Sequence, residues 1–252
     1  MEFLQQLSWV IVGQIILIDI LLGGDNAIVI ALACRHLPED VRMKGIFYGT
    51  VGAIIIRILL ISFAVTLLTL PYLKLIGGFM LLWIGIKLLT EDSDEANDIN
   101  GGDRLSTAIK TIIVADLAMS IDNVIAVASA AEQAQADHKL VLVILGILIS
   151  IPVVVWGSAL VLKIMDKVPA LVTAGSALLG YLGGEMIVTD TAIQDKVTQL
   201  LPLSTVDYPA LDVRLSLTGI LGAVLVVAGG WWLSQKSPQS EATDPQNEVN
   251  DK

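Results

Sequence analysis

The run ILIDILLGGDNAIVIALA, residues 16–33, holds three side chains equipped for chemistry: Asp19, Asp25 and Asn26. Carboxylate and amide oxygens are hard ligands of the kind taken by Mg2+, Ca2+ and Mn2+, and octahedral all-oxygen sites are typical of Mg2+ and Mn2+. The surrounding residues are otherwise fit for lipid. A charged side chain at the bilayer centre costs roughly 2.5–3.5 kcal/mol on insertion scales, so something must offset these acids. A divalent cation, or protons exchanging with it, is the expected offset. Soft metals such as Cu+ are disfavoured: His36 and His138 fall in breaks between apolar runs, and Cys34, the one cysteine, sits near the end of a run.

The acid-bearing stretch is written twice. In IVADLAMSIDNVIAVASA, residues 113–130, Asp116, Asp122 and Asn123 stand 97 positions after Asp19, Asp25 and Asn26. The same offset takes Gly49 to Gly146 and Gly78 to Gly175, and with one inserted residue Gly85 meets Gly183 and Lys87 meets Glu185. Apolar helices match by chance at Leu, Ile, Ala and Gly, but not readily at Asp-x5-Asp-Asn. In an unbroken helix Asp19 and Asn26 share a face, while Asp25 lies about a third of a turn away. Two such helices meeting on a pseudo-twofold axis would gather four carboxylates and two amides around one point. The pair Gly23–Gly24 suits a local break in the first copy; Ser120–Ile121 stand there in the second, whose helix is expected to stay regular.

The elements that must position these groups are membrane helices. The chain has 252 residues, 55% hydrophobic and 16% charged, with mean hydropathy +0.77, whereas a soluble domain carries nearer a quarter charged residues. Its apolar residues cluster in runs of roughly 20, the length needed to cross about 30 Å of hydrocarbon. Spans are expected near 8–34, 46–68, 73–90, 107–131, 139–162, 168–189 and 215–234. This predicts an all-α membrane protein of seven transmembrane helices in a single domain, 1–234. Repeat one covers about 8–90, an acidic linker 91–106, repeat two about 107–189, and the seventh helix 215–234. Three spans per copy is an odd number, so the second copy enters the membrane from the opposite side. In transporters with such inverted repeats the site lies near the midplane, where the repeats meet.

Fifteen Lys and Arg set the orientation, with ten on one side, four on the other and Arg57 inside a span. That bias puts the N-terminus outside and the C-terminus in the cytoplasm of a multi-pass protein of the cell (inner) membrane. No removable signal peptide is expected ahead of the first run. Residues 235–252 read as a disordered cytoplasmic tail, and Trp231 and Trp232 as an interfacial anchor. The net charge of −10 arises partly in the linker and tail; no nucleic-acid partner is expected. Arg57 reads as an internal counter-ion, for the aligned stretch ISIPVVV has no basic residue. Glu185 is either a gate or accessory ligand, or a plain interfacial acid.

The motifs GGDNAIVIALA and SIDNVIAV, on paired acidic helices of a seven-span chain, resemble the TerC family of integral membrane proteins, named for tellurium resistance, over about residues 5–234. The resemblance implies divalent metal transport, chiefly manganese efflux, and loading of metal onto exported enzymes. The family's membrane acids match here Asp19, Asp25, Asp116 and Asp122, with Glu185 as a further carry-over. Nothing in these residues explains binding of a tellurium oxyanion. The expected function is therefore a secondary transporter exporting Mn2+, with protons as counter-ion and Asp19, Asp25, Asn26, Asp116, Asp122, Asn123 and Glu185 as the metal set. No resident cofactor is expected. Its partners are the bilayer, the cation and, on a second reading, the secretion machinery or exported metalloenzymes beside which it would hold metal without moving it. A third reading, an intramembrane aspartyl protease, is weak. The chain has Leu22-Gly23-Gly24-Asp25 rather than Gly-x-Gly-Asp, and no Tyr-Asp pair in another span. No enzyme is expected.

Overall fold

The computed structural model describes residues 9–63, 70–90, 101–132, 139–200, 205–208 and 213–236. The first apolar run forms two helices, α1 (Trp9–Leu22) and α2 (Gly24–Cys34), interrupted at Gly23. There follow α3 (Glu39–Ser62), α4 (Leu73–Thr90), α5 (Gly101–Glu132), α6 (Lys139–Met165) and α7 (Ala170–Val188). A short α8 (Gln194–Leu200) and an antiparallel hairpin, β1 (Thr205–Tyr208) with β2 (Val213–Ser216), lead into α9 (Leu217–Lys236). Among the described residues, five helices are long and apolar enough to cross a membrane: Glu39–Ser62, Leu73–Thr90, Val143–Met165, Ala170–Val188 and Leu217–Gln235; α2 is a shorter apolar helix.

Several expectations are corrected. The chain is helical but not purely so, because the hairpin at 205–216 interrupts it; alternation in TVDY and VRLS is too short to signal strands against an apolar background. The second helix begins at Glu39 rather than near 46, behind Pro38 and with Glu39 and Asp40 in its first turn, where the helix dipole favours acids. The fourth run begins at Gly101, inside the expected linker. Hydropathy finds the part that crosses lipid, whereas helical hydrogen bonding continues into polar turns. The rest of the linker, 91–100, and the tail beyond 236 lie outside the described residues. The two copies of the acidic helix differ at the anticipated place. The first breaks at Gly23, whereas α5 runs unbroken past Ser120 and Ile121.

Packing crosses between the halves of the chain. Helix α3 lies against α5, and α6 lies against α1 and α2. A Cβ on Gly49 would sit 3.2 Å from Ile112 Cγ2, and one on Gly146 would sit 2.9 Å from Ile15 Cβ. Both glycines and both isoleucines are 97 positions apart, so repeated residues make matching contacts. Helices α4 and α7 touch backbone to backbone, since a Cβ on Gly78 would lie 2.6 Å from the Gly183 carbonyl and one on Gly183 2.7 Å from that of Gly78. Close approach through small residues is how helices gain contact where lipid gives no hydrophobic drive. Helix α9 packs on α7 and α4. Large apolar side chains such as Phe79, Trp83, Trp156 and Leu221 face outward, as a bundle solvated by hydrocarbon requires.

Asp190, just beyond α7, fastens this crossing. Its carboxylate accepts the Tyr72 amide at 3.0 Å, the Leu75 amide at 3.1 Å and the Ala192 amide at 2.8 Å. It thereby caps the start of α4 and holds Tyr72 in the left-handed region at φ 67°, which is unfavourable for a bulky residue. Burial works against the charged carboxylate, but the amides of Ala192, Leu75 and Tyr72 outweigh it and hold its pKa below the ordinary value.

Gly78→Val is expected to lower stability in detergent by about 1–3 kcal/mol through overpacking at the α4–α7 crossing. Gly102→Ala, with nothing within 4 Å of its added Cβ, should leave the thermal transition in place. Asp190→Ala should lower stability by about 0.5–2 kcal/mol, the usual loss of a helix cap. Because the folded pKa is depressed, Asp190's contribution is complete at neutral pH and is lost only as pH falls below the normal aspartate range, near 3.9. The difference between parent and Asp190→Ala in thermal unfolding should therefore be flat from pH 8 to about 5 and shrink below about 4.

Candidate functional site

Five of the seven sequence-selected residues fall into two groups. In the first, Arg57 of α3 reaches across the bundle to both copies of the acidic helix. Its Nη1 donates to Asp19 Oδ1 on α1 at 2.7 Å, its Nη2 donates to Asp116 Oδ1 on α5, and its Nε donates to Ser120 Oγ at 3.1 Å. Ser120 Oγ in turn donates to Asp116 Oδ2 at 3.0 Å, and Ser150 Oγ of α6 donates to Asp19 Oδ2. All five side chains are at most 5% exposed. Arg57 thus holds the two repeat-equivalent aspartates at once. The guanidinium, a rigid planar fork with five donors, suits that bridging better than an ammonium would.

Arg57 neutralises charge at Asp19 and Asp116, and two serine hydroxyls satisfy their outer oxygens. Its reading as an internal counter-ion agrees with these contacts. Of the four aspartates expected to converge, Asp19 and Asp116 meet at Arg57, Asp25 lines a cavity, and the Asp122 side chain lies outside the described residues. Among them, no group of three His, Cys, Asp or Glu is placed to hold a metal ion.

The second group surrounds a cavity of about 90 Å³. Asp25 at the start of α2, Asn123 on α5 and Glu185 on α7 line it, together with Met119, Met186 and two leucines. The break at Gly23 places Asp25 here. A side chain at Gly23 would collide with the Asp19 carbonyl, so the chain turns closely at that point and starts a fresh helix. Asp25 lies in the first turn of that helix, where the dipole favours a carboxylate, and its Oδ1 accepts the Asn26 amide at 2.8 Å. Asn26 is 5% exposed, and its Oδ1 finds no hydrogen-bond partner among the described residues. Asp122 belongs to α5 and precedes Asn123; its side chain lies outside the described residues. Glu185 is exposed.

Sequence reasoning missed Ser120, Ser150, Met119 and Met186. Ser120 carried a faint signal, as it stands where the first copy has Gly23, at the break. A serine or methionine within an apolar run is otherwise unremarked, and only the tertiary packing shows what it faces. Chemically, the cavity offers two carboxylates, one amide and two thioethers from three helices, enough to strip and replace part of a cation's hydration shell.

The profile of the "Integral membrane protein TerC family" matches residues 4–240 of the chain. The uncharacterized membrane protein YjbE of Bacillus subtilis (strain 168) is 46% identical over 208 residues, covering 80% of this chain and 91% of the relative. The uncharacterized membrane protein YceF of the same organism is 27% identical over 188 residues, 71% of each chain. The UPF0053 inner membrane protein YgdQ of Escherichia coli (strain K12) is 27% identical over 198 residues, 71% of this chain and 81% of the relative. No solved structure matches the chain significantly.

Removing Arg57 strands two carboxylates in the interior. Arg57→Met is expected to lower stability by about 3–5 kcal/mol, the usual effect of breaking a buried ion pair from one side. Adding Asp19→Asn and Asp116→Asn to that variant should restore much of the loss. Thermal unfolding of the three proteins in detergent checks the order.

Proposed function

The chain belongs to the TerC family of integral membrane proteins, and from that membership and its cavity we propose that it exports a divalent cation, chiefly Mn2+, across the cell membrane. The observation that carries the reading is the meeting of Asp25, Asn123 and Glu185, from three helices, on one cavity inside a multi-pass membrane protein. Ionisable residues inside a membrane are expensive and therefore functional by default. In this proposal Asp25 and Glu185 supply charged oxygens and Asn123 a neutral one. Asn26, whose buried Oδ1 finds no partner among the described residues, adjoins Asp25 in sequence and offers a further neutral oxygen. Asp19 and Asp116 act through Arg57 as positioning residues, keeping α1 and α5 in register.

The architecture proposed with it counts α1 and α2 as one span and α5 as another. Two three-helix repeats of opposite topology then comprise α1–α4 and α5–α7, with α9 outside them. The matching contacts of Gly49 with Ile112 and Gly146 with Ile15 support that arrangement. The Lys and Arg bias supports an outside N-terminus and a cytoplasmic C-terminus. Protons taken up by the emptied carboxylates would keep the carrier neutral on its return, since uncompensated charge in hydrocarbon is costly. This is transport rather than catalysis. A metal-holding partner of the secretion machinery needs the same ligands but no movement, so flux separates the two.

Purified protein in liposomes should move Mn2+ down an imposed gradient. Asp25→Asn and Glu185→Gln should each reduce that flux about tenfold or more, in line with the effect of disturbing a metal site. Asp103→Asn, in the first turn of α5, should transport like the parent. Parental flux in both site variants would defeat the proposal, and binding without flux would favour the holding role.

A further inference from the structure

We propose that Met119 and Met186 set the cation preference of this cavity, favouring transition-metal cations such as Mn2+ and Cd2+ over Mg2+ and Ca2+. The inference rests on the reading of the cavity as a cargo site. Oxygen ligands alone discriminate poorly among these ions, because carboxylates and carbonyls suit Mg2+, Ca2+ and Mn2+ alike. A thioether is soft and uncharged. It adds little for a hard, closed-shell cation and more for a softer transition ion.

Both methionines line the cavity beside the oxygen ligands. Met119 stands four residues before Asn123 on α5, so the two share a helix face. Met186 follows Glu185 directly on α7. A Cβ on Gly77 would lie 2.8 Å from Met186 Cε, so the absence of a side chain at Gly77 leaves the thioether its place. Both side chains are buried.

The internal duplication supplies the comparison that separates a chemical role from plain packing. The first-repeat counterparts of Met119, Glu185 and Met186 are Leu22, Lys87 and Leu88. Leu88 is buried to 1% exposure at its own position, so the equivalent place in the fold accepts a branched hydrocarbon. At these aligned positions sulfur therefore occurs in the copy that also carries Glu185. The other half places an ammonium at the matching point, and Lys87 Nζ lies 5.6 Å from the Trp83 ring centroid. The pseudo-twofold is thus broken in charge and in polarisability at the same place.

Hydration adds a bias against Mg2+. Mg2+ gives up water reluctantly and keeps several in most protein sites. A space lined partly by Leu and Met returns too few oxygens for Mg2+, while any less tightly hydrated cation accepts the exchange, so discrimination against Ca2+ falls to the thioethers.

Binding of Mn2+, Cd2+, Mg2+ and Ca2+ to the purified full-length protein tests this, with Met119→Leu, Met186→Leu and the double variant. The double variant is expected to lose about tenfold in affinity for Cd2+ relative to Ca2+, equivalent to about 1.4 kcal/mol, with a smaller loss for Mn2+. X-ray absorption of the Cd2+-loaded parent should show sulfur in the first coordination shell, a readout that does not depend on how the variants fold. An unchanged Cd2+-to-Ca2+ ratio in the double variant, or a shell of oxygen and nitrogen only, overturns the inference while leaving the cargo site standing. A parent protein that binds none of the four cations overturns both.

Discussion

Arg57 is the constraint from which the rest of the bundle follows. Two carboxylates buried in hydrocarbon cannot remain charged without a partner, and one planar guanidinium serves both. Because Nη1 meets Asp19 and Nη2 meets Asp116, α3 fixes α1 and α5 at one level of the bundle. Ser120 and Ser150 fill the remaining acceptor positions, so the cluster is hydrogen-bonded on all sides. Such a network specifies one arrangement, because a slip of either helix by a turn would leave a buried charge without a partner.

The break at Gly23 is read most simply against that anchor. Asp19 is held on one side of the interruption, and Asp25, six residues on, begins a separate helix facing the cavity. In the second copy α5 continues without interruption, and Asp116 and Asn123 serve the two groups from one rigid rod. A duplicated sequence has therefore given two differently built halves: one that bends between its acids and one that does not. The asymmetry extends to α4 and α7, where Lys87 and Glu185 stand at matching places with opposite charge.

The outer helices hold the cavity residues in place through backbone contact. Helix α7 carries Glu185, and its placement depends on the contact of Gly78 with Gly183, where any larger residue would force the backbones apart. Asp190 clamps the same pair of helices at one end through three amides. Packing across the first two helices of each half and crossing through glycines are two ways of gaining contact where burial of apolar surface contributes little.

Much of this was legible in the residues themselves. Runs of about 20 apolar residues locate membrane helices because hydrocarbon tolerates no unpaired backbone groups. The spacing Asp-x5-Asp-Asn, repeated after 97 residues, picked out the two helices whose acids Arg57 joins, and Gly23–Gly24 located the interruption in one of them. What the sequence left open was which acids meet which partner. Arg57 lies 38 residues from Asp19 and 59 from Asp116, and no periodicity reports contacts across such distances. The division into a charge-neutralised pair and an open cavity, the serines that complete the first and the methionines that line the second came from tertiary packing alone. Helix formation is a local matter of hydrogen bonds four residues apart, whereas pairing of buried charges is settled only when distant helices are brought together.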